Sequence, residues 1–162
     1  MTTLHLYRGL PGAGKTTRAV ADVAAAVRQG RRVVRVNRDN LRDMVHAGCY
    51  DPANPAVTEA AVTVAQHAAI RALLAAGWDV VCDDTNLKPE VFDALVTLAA
   101  NAGAGVNVID MRHVPVEVCV ARDAGRPETW PAVCSGARVT AAVIRGMAER
   151  HLGPTVDGLP GG

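Results

Sequence analysis

The run Gly9-Leu10-Pro11-Gly12-Ala13-Gly14-Lys15-Thr16 fills every fixed position of the spacing GxxxxGK[ST], whose chemistry is phosphate binding. Glycines at 9, 12 and 14 let the backbone curl through conformations closed to residues with a Cβ, so that successive N–H groups can point inward at phosphate oxygens. Lys15 adds a point charge at the β- and γ-phosphates, and the Thr16 hydroxyl suits a magnesium ion. A nucleoside triphosphate is therefore the expected ligand. Lys15 and Lys88 are the only lysines among 17 basic side chains. A general bias towards arginine accounts for most of the others, but not for the lysine kept where the loop requires one.

Two further groups could do chemistry. Asn37-Arg38-Asp39-Asn40-Leu41-Arg42 brings a carboxylate and two arginines together. With Asp39 at the head of a short helix, Arg42 lies three residues on and shares its face, so a base and a phosphate-clamping cation occupy one surface. Asp39 would take the proton from an acceptor hydroxyl attacking the γ-phosphate. The alternative is that Asp39 merely N-caps its helix and Arg42 completes a surface ion pair. Cys82-Asp83-Asp84-Thr85-Asn86 closes an apolar run with acids, as expected of the carboxylate partner of a phosphate loop. Spacing alone does not choose between Asp83 and Asp84. No Asp-x-Asp pair follows an apolar strand, which argues against a phosphatase with a nucleophilic aspartate.

The elements that must position these groups alternate. Strand-like runs at 4–8, 32–36, 79–82 and 105–111 are separated by helical patterns at 15–29, 40–46, 56–76 and 89–102, several stopped by glycine, as at Gly30, Gly77 and Gly103. Such βαβ alternation predicts a parallel sheet with helices on both faces and ligands beyond the carboxyl ends of the strands. The helix at 56–76 is nearly uniform in Ala and Val and reads as buried, with Gln66 and His67 as polar interruptions. His67 has no metal-binding companion at helical spacing and is assigned to packing. Arg122 and Arg126 are four apart, but Gly125 and Pro127 favour a loop, from which arginines could close over the triphosphate and stabilise charge. A last helix is read at 139–150.

The composition narrows the partners. The 162 residues carry a net charge of +1, which excludes a strongly basic protein and leaves nucleic-acid contact to a local arginine cluster. Cys49, Cys82, Cys119 and Cys134 form no CxxC pair, and two fall in segments that read as buried, as in a reducing cytoplasm. No leader and no run of membrane-spanning length is present, so a soluble cytoplasmic protein without membrane association is expected. No obligate protein partner is evident. One domain over 1–152 is expected, with a lid at about 122–138 and a flexible tail over 153–162.

Four blocks in order, 9–17, 37–42, 84–90 and Arg122-Asp123-Ala124-Gly125-Arg126, resemble the kinase domain of polynucleotide 5′-hydroxyl kinases along almost the whole chain. The resemblance implies a P-loop kinase fold: a parallel sheet of four to five strands flanked by helices on both faces, with an arginine-bearing lid. It implies ATP as phosphate donor with Mg²⁺, and 5′ ends of DNA or RNA as acceptors. Gly12, Ala13, Gly14, Lys15, Thr16 and Thr17 would hold the nucleotide with Arg122 and Arg126, and Thr16 and Asp84 would serve the metal. Lys15, Asp39 and Arg126 would be catalytic, and Arg38, Arg42 and Asp84 would face the acceptor. The resemblance also selects Asp84 over Asp83. The stretch 127–138 is longer than the lid of that family and carries Trp130, Pro131 and Cys134. The bifunctional phage enzyme continues into a 3′-phosphatase domain, and this chain is expected to lack that activity. The rival readings are a kinase for another hydroxyl, such as a hydroxymethylated base, a nucleoside or a small molecule, and a nucleotide-binding switch or ATPase. Trp78, Trp130, Tyr7, Tyr50 and Phe92 are the only aromatics, a thin supply for base stacking, so weak sequence preference is expected.

Overall fold

The computed structural model describes residues 1–47, 49, 53–126 and 138–153. Four strands, β1 (Thr3–Arg8), β2 (Val33–Arg35), β3 (Asp79–Cys82) and β4 (Gly105–Asp110), form one sheet in the order β2-β3-β1-β4, every pairing parallel. Parallel neighbours need long crossovers, and helices supply them: α1 (Lys15–Arg28) after β1, α2 (Arg38–Val45) and α3 (Pro55–Ala75) after β2, and α4 (Pro89–Asn101) after β3. The chain then runs into α5 (Val116–Ala124) and α6 (Ala141–His151).

Side-chain alternation assigns the two faces of the sheet. Leu4 and Leu6 of β1 lie opposite Val80 and Cys82 of β3 and pack with Ile70, Leu74, Leu95 and Ala99 from α3 and α4. Tyr7, Val33 and Val81 point the other way, onto Ala19 and Ala26 of α1. A third cluster joins Leu10 and Ala13 of the glycine-rich loop to Leu87, Cys119 of α5, and Ile144 and Ala148 of α6. On the outer flank β4 has no second strand among the described residues, and its Val106 and Val108 are exposed.

The α/β P-loop kinase-like architecture expected from the sequence is present, with four strands. Several details differ. Helix α2 begins at Arg38, two residues earlier than the pattern suggested, because Asn37 caps it: its Oδ1 accepts the N–H groups of Asp39 and Asn40 at 3.0 and 3.2 Å. Helix α3 is one-sided rather than buried all round. Thr58, Val62, Gln66, Ile70 and Leu74 are buried at every fourth position, while Val57 and Val64 are 66% and 71% exposed. Arg122, read as a loop residue, is helical, since the run Val116-Glu117-Val118-Cys119-Val120 carries α5 through to Ala124 before Gly125 stops it. The remainder of the expected lid, with Trp130, Pro131 and Cys134, lies outside the described residues, as does the tail from Pro154.

Candidate functional site

The glycine-rich loop leaves the carboxyl end of β1 and runs into α1, whose N-cap, Gly14, sits at φ +94° and offers no side-chain cap. The first amides of α1 are thus left for an anion. Gly12 is fixed twice over. Its φ is +81°, and a Cβ there would lie 2.2 Å from the carbonyl oxygen of Cys119, so α5 presses directly on the loop. Lys15 is buried, and its Nζ donates to the carbonyls of Gly9 and Leu10 at 2.8 and 2.7 Å. Burial lowers its pKa to about 8, with Asp83 and Asp84 opposing. Thr16 and Thr17 are exposed on the first turn of α1.

The loop is tied to the end of β3. Gly9 N–H donates to Thr85 O at 3.1 Å, and Asn86, held at φ +45°, donates from Nδ2 to Tyr7 O at 2.9 Å. Arg8 donates to Asn86 O at 3.0 Å while its guanidinium lies 4.3 Å above the Phe92 ring. These links bring the two acids that follow β3, Asp83 and Asp84, alongside the phosphate loop, and the acids divide the work. Asp83 is buried and gripped by Arg35 through two bonds of 2.8 and 2.9 Å, which makes it a structural acid. Asp84 faces the cleft described below.

The Asp84 carboxylate accepts from Arg38 N–H (2.9 Å), Asn37 Nδ2 (3.2 Å), Gln66 Nε2 (2.5 Å) and the Cys82 thiol (3.3 Å). Burial raises its pKa, and these hydrogen bonds oppose the rise. Burial also pushes the Cys82 thiol well up, which keeps it a protonated donor. Four donors fill the lone-pair directions of a carboxylate. Asp84 therefore organises the start of α2, and of the two residues that the resemblance assigns to a metal, Thr16 is the exposed one. Among the described residues no cluster of three His, Cys, Asp or Glu side chains is arranged to hold a metal.

Asp39 does not cap α2, since Asn37 does. Its carboxylate accepts from Arg42 Nη1. Burial raises the Asp39 pKa, Arg42 lowers it, and Asp84 and Asp83 raise it again. The side chain is 46% open to solvent, and the direction of the shift makes Asp39 a stronger base than an ordinary aspartate. Arg42 is shared. Its Nε and Nη2 reach Glu59 at 2.5 and 3.1 Å, and Glu59 also accepts from Arg38 Nη2 at 2.5 Å. Arg38 is further held by Gln66 Oε1 and Thr63 Oγ1, both at 3.1 Å. Glu59, Thr63 and Gln66 were not assigned to the site from the sequence. Their positions four and three residues apart place them on one face of α3, and this stripe was the available signal.

On the other side of the loop, a Cβ on Gly14 would lie 3.8 Å from Arg122 Nη1, and the charge of Arg126 bears on Lys15. Arg126 Nη1 approaches Asp123 Oδ1 at 3.5 Å, while Asp123 Oδ2 accepts from Val139 N–H at 2.8 Å. The structure thus assembles Lys15, Arg122 and Arg126 at the phosphate loop, and Arg38, Asp39, Arg42 and Asp84 at the neighbouring strand ends. A cleft of about 710 Å³ opens from the second group, lined by α2, α3, the β3–α4 connection, α4 and α6, with His67 on its wall. Burial, followed by Arg38 and Arg71, lowers the His67 pKa.

A parallel sheet with its glycine-rich loop at the end of a central strand defines a phosphate-loop nucleotide-binding domain of the kinase type. The chain belongs to the AAA_33 family, an AAA domain, which matches residues 4–154. No curated protein sequence matches it. Among solved structures it is similar to a chain of the Pnkp1/Rnl/Hen1 RNA repair complex, with TM-score 0.74 and 26% identity over 93% of this chain and 44% of that one. It therefore spans less than half the length of that relative. Two others share the fold at lower identity. Chaetomium thermophilum Kti12 in complex with ADP-AlF3 matches with TM-score 0.66 and 22% identity, covering 91% of this chain and 79% of that one. Mycobacterium tuberculosis APS kinase CysC in complex with AMPPNP and APS matches with TM-score 0.56 and 20% identity, covering 76% and 69%. No described helix is long and apolar enough to cross a membrane.

Proposed function

We propose that this chain is an ATP-dependent kinase that transfers the γ-phosphate to the 5′-hydroxyl end of DNA or RNA. The observation that carries the reading is the Asp39–Arg42 pair at the head of α2. There a carboxylate of raised basicity and a guanidinium share one face beside the phosphate loop, as an acceptor hydroxyl flanked by a phosphate requires. Likeness to a chain of an RNA repair complex supports the choice of acceptor.

In this reading the amides of 12–17 and Lys15 hold the triphosphate, and Lys15 exchanges its loop carbonyls for phosphate oxygens. Asp39 takes the proton of the 5′-hydroxyl as the new O–P bond forms and the bond from the γ-phosphorus to the leaving ADP oxygen breaks. Arg42, steadied by Glu59, fixes the adjacent acceptor phosphate, and Arg38 stands behind it. Arg122 and Arg126 neutralise charge on the transferring group. A magnesium ion on Thr16 would neutralise the β- and γ-oxygens. Catalysis is then positioning plus charge neutralisation, which phosphoryl transfer chiefly needs. We assign this activity to one unit spanning 1–152 and working in a reducing cytoplasm, consistent with the buried free thiols of Cys82 and Cys119.

The test is transfer of labelled γ-phosphate from ATP with Mg²⁺ to a 5′-hydroxyl oligonucleotide, set against the same strand already 5′-phosphorylated. Label on the first strand alone is expected. Label on neither, with ATP bound, would overturn the polynucleotide acceptor and leave a modified base, a nucleoside or a small molecule in its place. Hydrolysis by water with no labelled acceptor would indicate a switch or ATPase.

A further inference from the structure

The cleft beyond Arg42 is larger than one hydroxyl and its phosphate require, and two of its cations are unused by the chemistry above. Lys88, at the N-terminal edge of α4, and Arg150, in the last turn of α6, line it together with Arg38 and Arg42. Both are exposed, and among the described residues neither is paired with a carboxylate. The Arg150 guanidinium lies back over Gly146, where a Cβ would come within 3.8 Å of its Nη1. The cleft is also lined by apolar side chains, Leu87, Val91, Ala94 and Met147. Glu90 is the acid on this side, and Glu59 is already engaged by both arginines.

We propose that this half of the cleft is a second-nucleotide subsite, in which Lys88 and Arg150 bind the next phosphate of a single-stranded acceptor while the apolar wall of α4 and α6 receives its base. The inference rests on the polynucleotide reading and extends it: the acceptor is a strand, and the residue beyond the terminal nucleotide contributes to binding. Cations beside a non-aromatic apolar surface match a phosphate joined to a base that is held by contact rather than by stacking or edge hydrogen bonds. The cleft, at about 710 Å³, has room for more than the terminal hydroxyl and its phosphate. His151 shares the wall with Arg150.

The test uses 5′-hydroxyl oligonucleotides of one to four nucleotides, each ending in a 3′-phosphate, with binding and phosphorylation both measured. Going from one nucleotide to two should tighten binding about tenfold, as expected of a charge-assisted phosphate contact. That gain should disappear in the Lys88→Ala/Arg150→Ala variant and return in Lys88→Arg with Arg150 intact. The gain from the second phosphate should shrink as ionic strength rises, as screening of an exposed charge contact requires. No gain with length, or a gain that survives the double substitution, would overturn the subsite. Phosphorylation without the length effect removes the subsite and leaves the kinase. The length effect without phosphorylation keeps the subsite and removes the kinase.

Discussion

Asp123 Oδ1 is buried, makes no hydrogen bond among the described residues, and lies 3.5 Å from Nη1 of Arg126, while its other oxygen holds Val139 N–H. The first distance permits ion pairing but falls outside good hydrogen-bond geometry. One carboxylate therefore spans the arginine proposed to meet the transferring phosphate and the approach to α6. Asp123→Asn keeps an oxygen for Val139 and removes the charge facing Arg126. It should lower kcat by about tenfold with little change in the KM for ATP. In an Arg126→Ala background the same change should cost nothing further, a non-additivity of the size seen for residues in contact. Steady-state kinetics of the four proteins checks this, and additive losses would reduce Asp123 to a structural anchor.

Asp39→Asn should reduce kcat by roughly 10²- to 10⁴-fold, the usual contribution of a general base, with nucleotide affinity unchanged by titration calorimetry. The base must be deprotonated, so kcat/KM should rise with pH and level off above the pKa of Asp39. Burial and the neighbouring acids raise that pKa. The acid limb should therefore fall above the ordinary aspartate range of about 3.9, and it should vanish in the variant.

Lys15, with its pKa lowered to about 8, is only partly protonated at pH 8. A triphosphate favours the charged form, so nucleotide binding near pH 8 should draw a proton from the buffer, and affinity should decline as pH rises through 8. Calorimetry in buffers of different ionisation enthalpy measures the uptake directly. Equal apparent enthalpies in all buffers would contradict it.

Gly12→Ala should destabilise the fold. The new methyl meets a backbone carbonyl at 2.2 Å, an overpacking cost of ~1–3 kcal/mol, added to about 1 kcal/mol for a left-handed residue with a Cβ. Gly30→Ala is the matched control: φ is +74° and nothing lies within 4 Å, so only the backbone cost remains. Thermal unfolding should separate the two variants by several degrees.

Much of this was legible in the chain because it is written in local spacing. The phosphate loop, the four strand ends and the α2 block follow from periodicity and motif. Spacing alone left Asp83 and Asp84 equivalent, and packing separates them: Asp83 is gripped by Arg35 while Asp84 lines the cleft. What was not legible depends on how helices pack. Glu59 becomes important only because α3 lies against α2 and places its carboxylate between Arg38 and Arg42. Gln66 appeared as a polar flaw in an alanine-rich helix, yet it is a buried donor to Asp84. The same uniformity of Ala and Val hid the one-sidedness of α3, since small residues tolerate either environment. Arg122 was read as loop because Gly125 and Pro127 were given more weight than the valine run that extends α5.

The outer flank of β4 bears on how copies of this protein meet one another. Its backbone donors and acceptors have no further strand beside them among the described residues, and Val106 and Val108 stand exposed along it. An uncovered apolar strand edge is a template for pairing with another chain. Self-association at high concentration or on warming should therefore begin along that edge, and a charge introduced at the exposed Val108 should oppose it.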